Sequence, residues 1–178
     1  MQYLRNNDVS LAYEDTGTAL PPLVLVPGCG LDHASLTNQT LFFSGSHRVI
    51  SVDLRGHGES DAPHQDYTMA TFADDLAWLC TKLALVKPTV VGHSMGGNVV
   101  LELAARYPGL LCSIVMIDSV MFTPQALLDT LPSLFAEMLA GPHYLDAYRQ
   151  LLSTFQLCRS SIWPTFSASR RSLSLVAR

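Results

Sequence analysis

A serine flanked by glycines, in the segment Gly92–Gly96 (GHSMG), is the part of this sequence best suited to covalent chemistry. A β-branched run at residues 89–91 precedes it, and good helix formers at residues 98–107 follow without a gap. This order predicts a strand, a sharp turn and a helix, with Ser94 at the apex above the carboxyl end of a sheet. The sequence therefore predicts a nucleophile, and the alternative is a glycine-rich turn with an incidental serine.

Two backbone N–H groups are candidates for stabilising an oxyanion on the substrate. Met95 opens the predicted helix, where the helix dipole and the first N–H groups favour negative charge. Cys29 lies in the Pro27–Gly30 loop, whose glycines let the backbone approach a ligand closely. The sequence therefore predicts an oxyanion hole made by these two residues, and the alternative for the loop is a plain turn.

A general base that activates the serine must lie within hydrogen-bond reach of its hydroxyl. His33 follows the Pro27–Gly30 loop and His143 starts a predicted helix, so either is a candidate base. His57 and His93 belong to segments with other expected roles. Asp118 is the candidate acid at the end of a predicted strand, and the alternative is a strand-end or helix-cap carboxylate.

An alternation of strands and helices is expected to position these groups. Continuous aliphatic runs are typical of parallel strands that are buried on both faces. Such a run occurs at residues 23–26, and further strands are predicted at residues 49–52, 89–91 and 112–117. Residues 10–14 alternate apolar and polar side chains and predict an antiparallel strand near an edge. The pattern predicts an α/β protein with a mostly parallel, doubly wound sheet and right-handed crossovers.

One amphipathic helix is predicted between the second and third buried strands. Thr71 and Asp74 form a capping pattern at its start. The apolar residues at helical spacing are Phe72, Leu76, Leu79 and Leu83. Trp78 and Cys80 lie off this stripe and are expected at its margins.

The loop Asp53–Ser60 (DLRGHGES) follows the strand at residues 49–52. Gly56 and Gly58 shape a tight loop, and Asp53 and Arg55 can satisfy its backbone groups and pair with each other. The sequence therefore predicts a structural role for this loop.

The chain resembles the α/β-hydrolase fold superfamily, in its branch of small esterases, lactonases, carbon–carbon bond hydrolases and cofactor-free haloperoxidase-like enzymes. The matching motifs are residues 27–30, 53–60 and 92–97, and the resemblance covers about residues 9–157. It implies a nucleophile elbow at Ser94, an oxyanion hole from the Met95 and Cys29 N–H groups, and no metal or cofactor. The structural motif residues that it implies are Gly28, Asp53, Arg55, Gly56, Gly58, Gly92, His93 and Gly96.

The expected function is that of a serine hydrolase acting on a small ester, lactone or activated ketone through a Ser94 acyl-enzyme. The alternative is a catalytically inactive truncated or ligand-binding relative that keeps the scaffold without the reaction.

The C-terminal part departs from the family pattern. Residues 123–140 and 144–157 predict a helical lid, but the two later strands that carry the acid and the histidine in the family are not visible. Residues 158–178 are rich in serine and arginine and contain no acidic residue. This composition predicts a truncated or frame-shifted segment, with a native basic tail as the alternative. The predicted division is a core at residues 1–122, a lid at 123–157 and an atypical tail.

Composition narrows the expected partners and location. A net charge of −4, with no basic cluster before the last residues, argues against nucleic acid or an anionic membrane and favours a small-molecule substrate. No apolar segment resembles a signal peptide or a membrane span, so a cytoplasmic protein is expected. The four cysteines lack metal spacing and predict free thiols, mainly buried. The strand at residues 112–117 would form an exposed sheet edge, which predicts self-association.

Overall fold

The computed structural model describes residues 1–7, 9–120 and Asp129. The chain divides into two compact units, Met1–Met121 and Phe122–Arg178. All described residues except Asp129 belong to the first unit. Apart from Asp129, the predicted lid helices lie outside the described residues, and so do His143 and the tail at residues 158–178. The division at residue 122 stays a prediction.

Six strands form one sheet in the described part of the chain. They are β1 (Gln2–Asn6), β2 (Val9–Thr16), β3 (Leu23–Val26), β4 (Val49–Val52), β5 (Thr89–His93) and β6 (Ser113–Ile117). Their order across the sheet is β1-β2-β4-β3-β5-β6. β1 and β2 pair antiparallel with their neighbours, and the other four strands run parallel. The mostly parallel sheet is therefore confirmed, with β3 near its centre.

Helices cover both faces of the sheet. After a short 3₁₀ helix (His33–Leu36), they are α1 (Thr37–Ser44), α2 (Met69–Lys82) and α3 (Met95–Arg106). Successive side chains of a strand point to opposite faces. Leu23 and Leu25 therefore pack in a smaller cluster with Phe43 of α1. Val24 and Val26 pack in the larger core with α2 and α3. This arrangement confirms the doubly wound architecture.

Several predicted elements differ from the observed ones in detail. β1 and α1 were not predicted, and β2 is longer than the predicted strand. α2 begins at Met69 because Thr68, not Thr71, is its N-cap: the Thr68 side chain accepts a hydrogen bond of 3.1 Å from the Thr71 N–H. Cys80 is fully buried, so its predicted place at the margin of the stripe is wrong.

The prediction that the cysteines are mainly buried is also wrong for those that the structure describes. Cys29 and Cys112 are exposed, and Cys80 is buried. None of the helices within residues 9–120 has the length and the apolar composition that crossing a membrane requires.

Among the described strands, β6 is the outermost on the side of β5. In the described residues its ladder partner is β5, which pairs with it from Thr89–Ser113 to His93–Ile117. One face of β6 remains open, because Val115 and Ile117 are 44% and 41% exposed. Ile114 and Met116, on the other face, pack against the core.

Candidate active site

Ser94 is the single residue between β5 and α3, and its backbone has φ 52° and ψ −119°. A positive φ at a residue with a Cβ costs about 1–3 kcal/mol and persists where the surroundings impose it. The Ser94 N–H donates a 2.8 Å hydrogen bond to the Ile117 carbonyl of β6, and the Ser94 carbonyl accepts one of 2.9 Å from the Gly97 N–H. The turn is therefore attached to the neighbouring strand as well as to its own helix.

The glycines on either side of the serine let backbones approach closely. A Cβ at Gly92 would lie 2.2 Å from the Gly96 carbonyl oxygen, and a Cβ at Gly96 would lie 2.4 Å from the Pro27 carbonyl oxygen. These distances exclude any side chain there. The first contact closes the turn on itself, and the second brings the loop after β3 against α3.

The Pro27–Gly30 loop lies beside Ser94, because β3 and β5 are neighbours and Val26 is in register with Gly92. A Cβ at Gly28 would lie 3.2 Å from the Ser94 Cβ. Cys29 follows directly and is exposed. Met95 is the first residue of α3, where a backbone N–H has no acceptor within the helix. The structure thus brings together the serine and both segments that carry the predicted oxyanion donors.

His33 contacts Asp53, the first residue after β4. Its Nδ1 lies 2.9 and 3.1 Å from the two carboxylate oxygens, and its backbone N–H donates a 2.6 Å hydrogen bond to Oδ1. Its Nε2 lies 3.9 Å from Glu14 Oε1. The Asp53 hydrogen bond raises the pKa of His33, although burial opposes it. Both ring nitrogens of this candidate base therefore face carboxylates.

The other histidines near the turn have different surroundings. His57 Nδ1 lies 3.0 Å from the Arg55 carbonyl oxygen, and burial lowers the pKa of His57. Burial also lowers the pKa of His93, with Asp118 acting in the opposite direction. Asp118 follows β6 at the same edge of the sheet, with φ 51°. The Ser94 side chain makes no capping hydrogen bond to α3.

The Asp53–Ser60 loop is organised around the Asp53 side chain, which is fully buried. The carboxylate accepts a 2.9 Å hydrogen bond from the Glu59 N–H. Ser60 Oγ donates one of 2.7 Å to the Asp53 carbonyl. Gly58 has φ +51°, and a Cβ there would lie 2.2 Å from Asp53 Oδ2. The loop therefore closes over a carboxylate that also holds the segment after β3.

The sequence predicts that Arg55 pairs with Asp53, whereas the structure gives Arg55 an ion pair with Asp75. Arg55 donates two hydrogen bonds of 2.5 Å to the carboxylate of Asp75, which is buried on α2. The His33–Asp53 contact was also missed. The available signal for the Arg55 pair was an acidic residue within the apolar stripe of α2, since Asp75 lies three residues after Phe72 and four before Leu79. No cluster that could hold a metal ion occurs among the described residues.

Comparison with known proteins shows which of them this chain is similar to. A family model described as alpha/beta hydrolase fold matches residues 21–160. The chain is 38% identical over 120 residues to 2-(acetamidomethylene)succinate hydrolase of Mesorhizobium japonicum, a match that covers 64% of this chain and 42% of that protein. It is 41% identical over 101 residues to a non-heme chloroperoxidase of Streptomyces lividans, covering 56% of this chain and 37% of the relative.

Solved structures show the same similarity. A thermophilic esterase from Thermogutta terrifontis superposes with a TM-score of 0.71 at 34% sequence identity, over 82% of this chain and 56% of the esterase. The chain therefore spans less than two thirds of the length of each of these proteins.

Proposed function

The chain belongs to the alpha/beta hydrolase fold family, and from this premise we propose that it is the serine-bearing part of a hydrolase. The substrate would be a small ester, lactone or activated ketone. The name of one relative, an esterase, supports this class, and the name 2-(acetamidomethylene)succinate hydrolase supports hydrolysis in general. The net charge of −4 favours a small molecule over a polyanionic partner.

The observation that carries the proposal is the positive φ of Ser94 at a turn against which the Gly28 loop packs. In the proposed reaction, Ser94 Oγ attacks the substrate carbonyl carbon and its proton passes to a general base. The carbonyl oxygen becomes an oxyanion, which accepts hydrogen bonds from the Cys29 and Met95 N–H groups. The leaving group departs with a proton, and water then hydrolyses the acyl-enzyme.

In this reaction the general base is a residue outside the described part of the chain. His33 is held by Asp53, and His57 lies against the Arg55 carbonyl. His143 stays a candidate base from the sequence. Asp118 stays the candidate acid, because it follows β6 at the edge of the sheet where Ser94 lies.

The test is turnover of a panel of small chromogenic esters and lactones, together with labelling of Ser94 by a fluorophosphonate. Ser94→Ala should lower turnover by about 10⁴-fold or more, because the covalent route is lost. Ser46→Ala, at an exposed serine before β4, is the matched control and should keep full activity. Turnover that survives Ser94→Ala would refute the proposal. Absence of both turnover and labelling would favour the non-catalytic, ligand-binding alternative.

A further inference from the structure

We propose that His33 is a positioning residue, which fixes the segment Gly28–His33, and with it the Cys29 N–H, beside Ser94 through its contact with Asp53. The inference rests on the proposed function, because a fixed Cys29 N–H matters for catalysis only if an oxyanion forms at Ser94.

Asp53 is a rigid anchor. Its side chain is fully buried, its N–H donates a 2.9 Å hydrogen bond to the Ala12 carbonyl of β2, and its carbonyl accepts one from Ser60 Oγ. The carboxylate accepts from the backbone N–H groups of His33 and Glu59, at 2.6 and 2.9 Å. Because the residue follows a central strand and is bonded on several sides, a group that binds its carboxylate is fixed to the sheet.

The segment between this anchor and Ser94 is short and internally bonded. At one end Gly28 packs against the Ser94 Cβ. The Gly28 carbonyl accepts a 3.2 Å hydrogen bond from the Leu31 N–H, which closes a turn around Cys29. Asp32 caps the 3₁₀ helix by accepting from the Ala34 N–H at 3.1 Å. A segment of this length that is held at both ends has little freedom to move its N–H groups.

The contact is electrostatic as well as geometric. The His33 side chain is 17% exposed and the Asp53 side chain 0%, so solvent screens their attraction only weakly. Among the described residues, the charged groups that act on the ring are acidic: Asp53 after β4, Glu14 on β2 and Asp32 at the cap of the 3₁₀ helix. Each raises the pKa of His33. An imidazolium should therefore hold the carboxylate more firmly than a neutral ring does.

The expected functional effect is on the transition state. The oxyanion, unlike the ground-state carbonyl, needs a donor at a defined position, so a displaced Cys29 N–H lowers kcat more than it raises KM. Removal of one complete oxyanion donor costs about 10²–10³-fold. Displacement without removal should cost less, about 10-fold or more.

The experiment uses the full chain with His33→Ala and His33→Asn, because an asparagine Nδ2 lies where the histidine Nδ1 does and can donate to Asp53 without a charge. His64→Ala, at an exposed histidine in the loop before α2, is the matched control. Two quantities are measured across a pH series: amide hydrogen exchange of residues 28–33, and the rate of fluorophosphonate labelling at Ser94. In that labelling, Ser94 Oγ bonds to phosphorus, fluoride leaves and the hydroxyl proton is released.

We expect His33→Ala to speed exchange of residues 28–33 and to slow labelling, each by about 10-fold or more. Near neutral pH, His33→Asn should restore the slow exchange of residues 28–33 and the rate of Ser94 labelling. In the wild type, labelling should decline as pH rises and His33 loses its proton, and His33→Asn should lack this decline. His64→Ala should match the wild type in both measurements.

The inference is overturned if His33→Ala leaves exchange and labelling unchanged in a wild type that labels, or if His33→Asn is no better than His33→Ala. If exchange of residues 28–33 responds as expected but Ser94 is never labelled, the proposed function is refuted and the positioning contact is not. Exchange that does not respond in an unlabelled chain would refute both.

Discussion

At residue 29, the proposed chemistry depends on a backbone atom and not on the thiol. Cys29→Ala changes the side chain and keeps the N–H, so it should alter turnover only slightly. Cys29→Pro deletes the N–H, and turnover should fall by about 10²-fold or more. Steady-state ester hydrolysis by the two variants is the measurement. Equal losses for both would contradict the assignment of the oxyanion donor.

Two partly buried histidines, His33 and His57, should affect stability at opposite ends of the pH range. The raised pKa of His33 means that its contribution is fully present below its unfolded pKa of about 6.5 and is lost as pH rises through the folded value. The lowered pKa of His57 means that the folded state disfavours its protonation, so stability falls as pH drops below about 6.5 through the folded value.

Urea unfolding between about pH 5 and 9 would measure these two effects. His33→Asn should flatten the loss on the alkaline side, and His57→Asn should flatten the loss on the acid side. The same pH profile in both variants and in the wild type would show that neither ring determines the pH dependence.

At the scale of elements, Gly92, close to the junction of β5 and α3, should tolerate no side chain. A Cβ at Gly92 would meet three backbone atoms of Gly96 and Gly97, the nearest at 2.2 Å, and backbone cannot move aside as a flexible side chain can. Gly92→Ala should therefore lower the free energy of unfolding by about 2 kcal/mol or more.

Gly109→Ala is the matched control, because a Cβ at Gly109 would meet nothing within 4 Å. Its effect should stay within about 0.5 kcal/mol. Chemical denaturation of both variants is the test. A Gly92→Ala protein as stable as the wild type would show that the turn relaxes far more easily than its packing indicates.

Elements with a strong local pattern could be predicted from the sequence, and those without one could not. β3 is a continuous aliphatic run and β4 is aliphatic apart from Ser51, and their observed bounds match the predicted ones. β1 was missed because Gln2–Asn6 is mostly exposed and carries no alternation of apolar residues. α1 was missed because its sequence, TNQTLFFS, has no single apolar face: Leu41 and Phe42 are exposed and Thr40 is buried.

The same contrast holds for the candidate site: its local motifs could be predicted from the sequence, and its long-range contacts could not. The serine turn and the glycine loops are local motifs, so the sequence by itself indicates Ser94, Cys29 and Met95. The contacts His33–Asp53 and Arg55–Asp75 each join residues that are 20 positions apart on different elements. Such pairs depend on how separate segments meet in the fold. The apolar stripe of α2 marks Asp75 as a buried acidic residue, but it does not identify the partner.

At the scale of the whole molecule, the open face of β6 should lead this chain to associate with itself. An outer strand presents backbone N–H and C=O groups, and β6 adds exposed apolar side chains at Val115 and Ile117. Val115→Lys should raise the monomer fraction in sedimentation velocity, because a charge on an edge strand opposes pairing. Phe42→Lys removes a side chain that is 77% exposed on α1 and is the control.

If both substitutions had equal effects, association would reflect general surface hydrophobicity and not the strand. A wild-type chain that is monomeric at all concentrations would contradict self-association through β6.

The order of the strands also has a consequence for the protein during its synthesis. β3 pairs with β4 on one side, but its other neighbour is β5, where Leu23 meets Thr89. At about 5–20 residues per second, the ribosome needs roughly 3 to 12 s to make residues 27–88, which lie between these two strands. For that time the most apolar strand of the sheet has one bare edge, and Gly28 has no Ser94 to pack against. The nascent chain therefore completes its proposed catalytic centre late, after an interval in which its core strand is open to chaperones and to wrong partners.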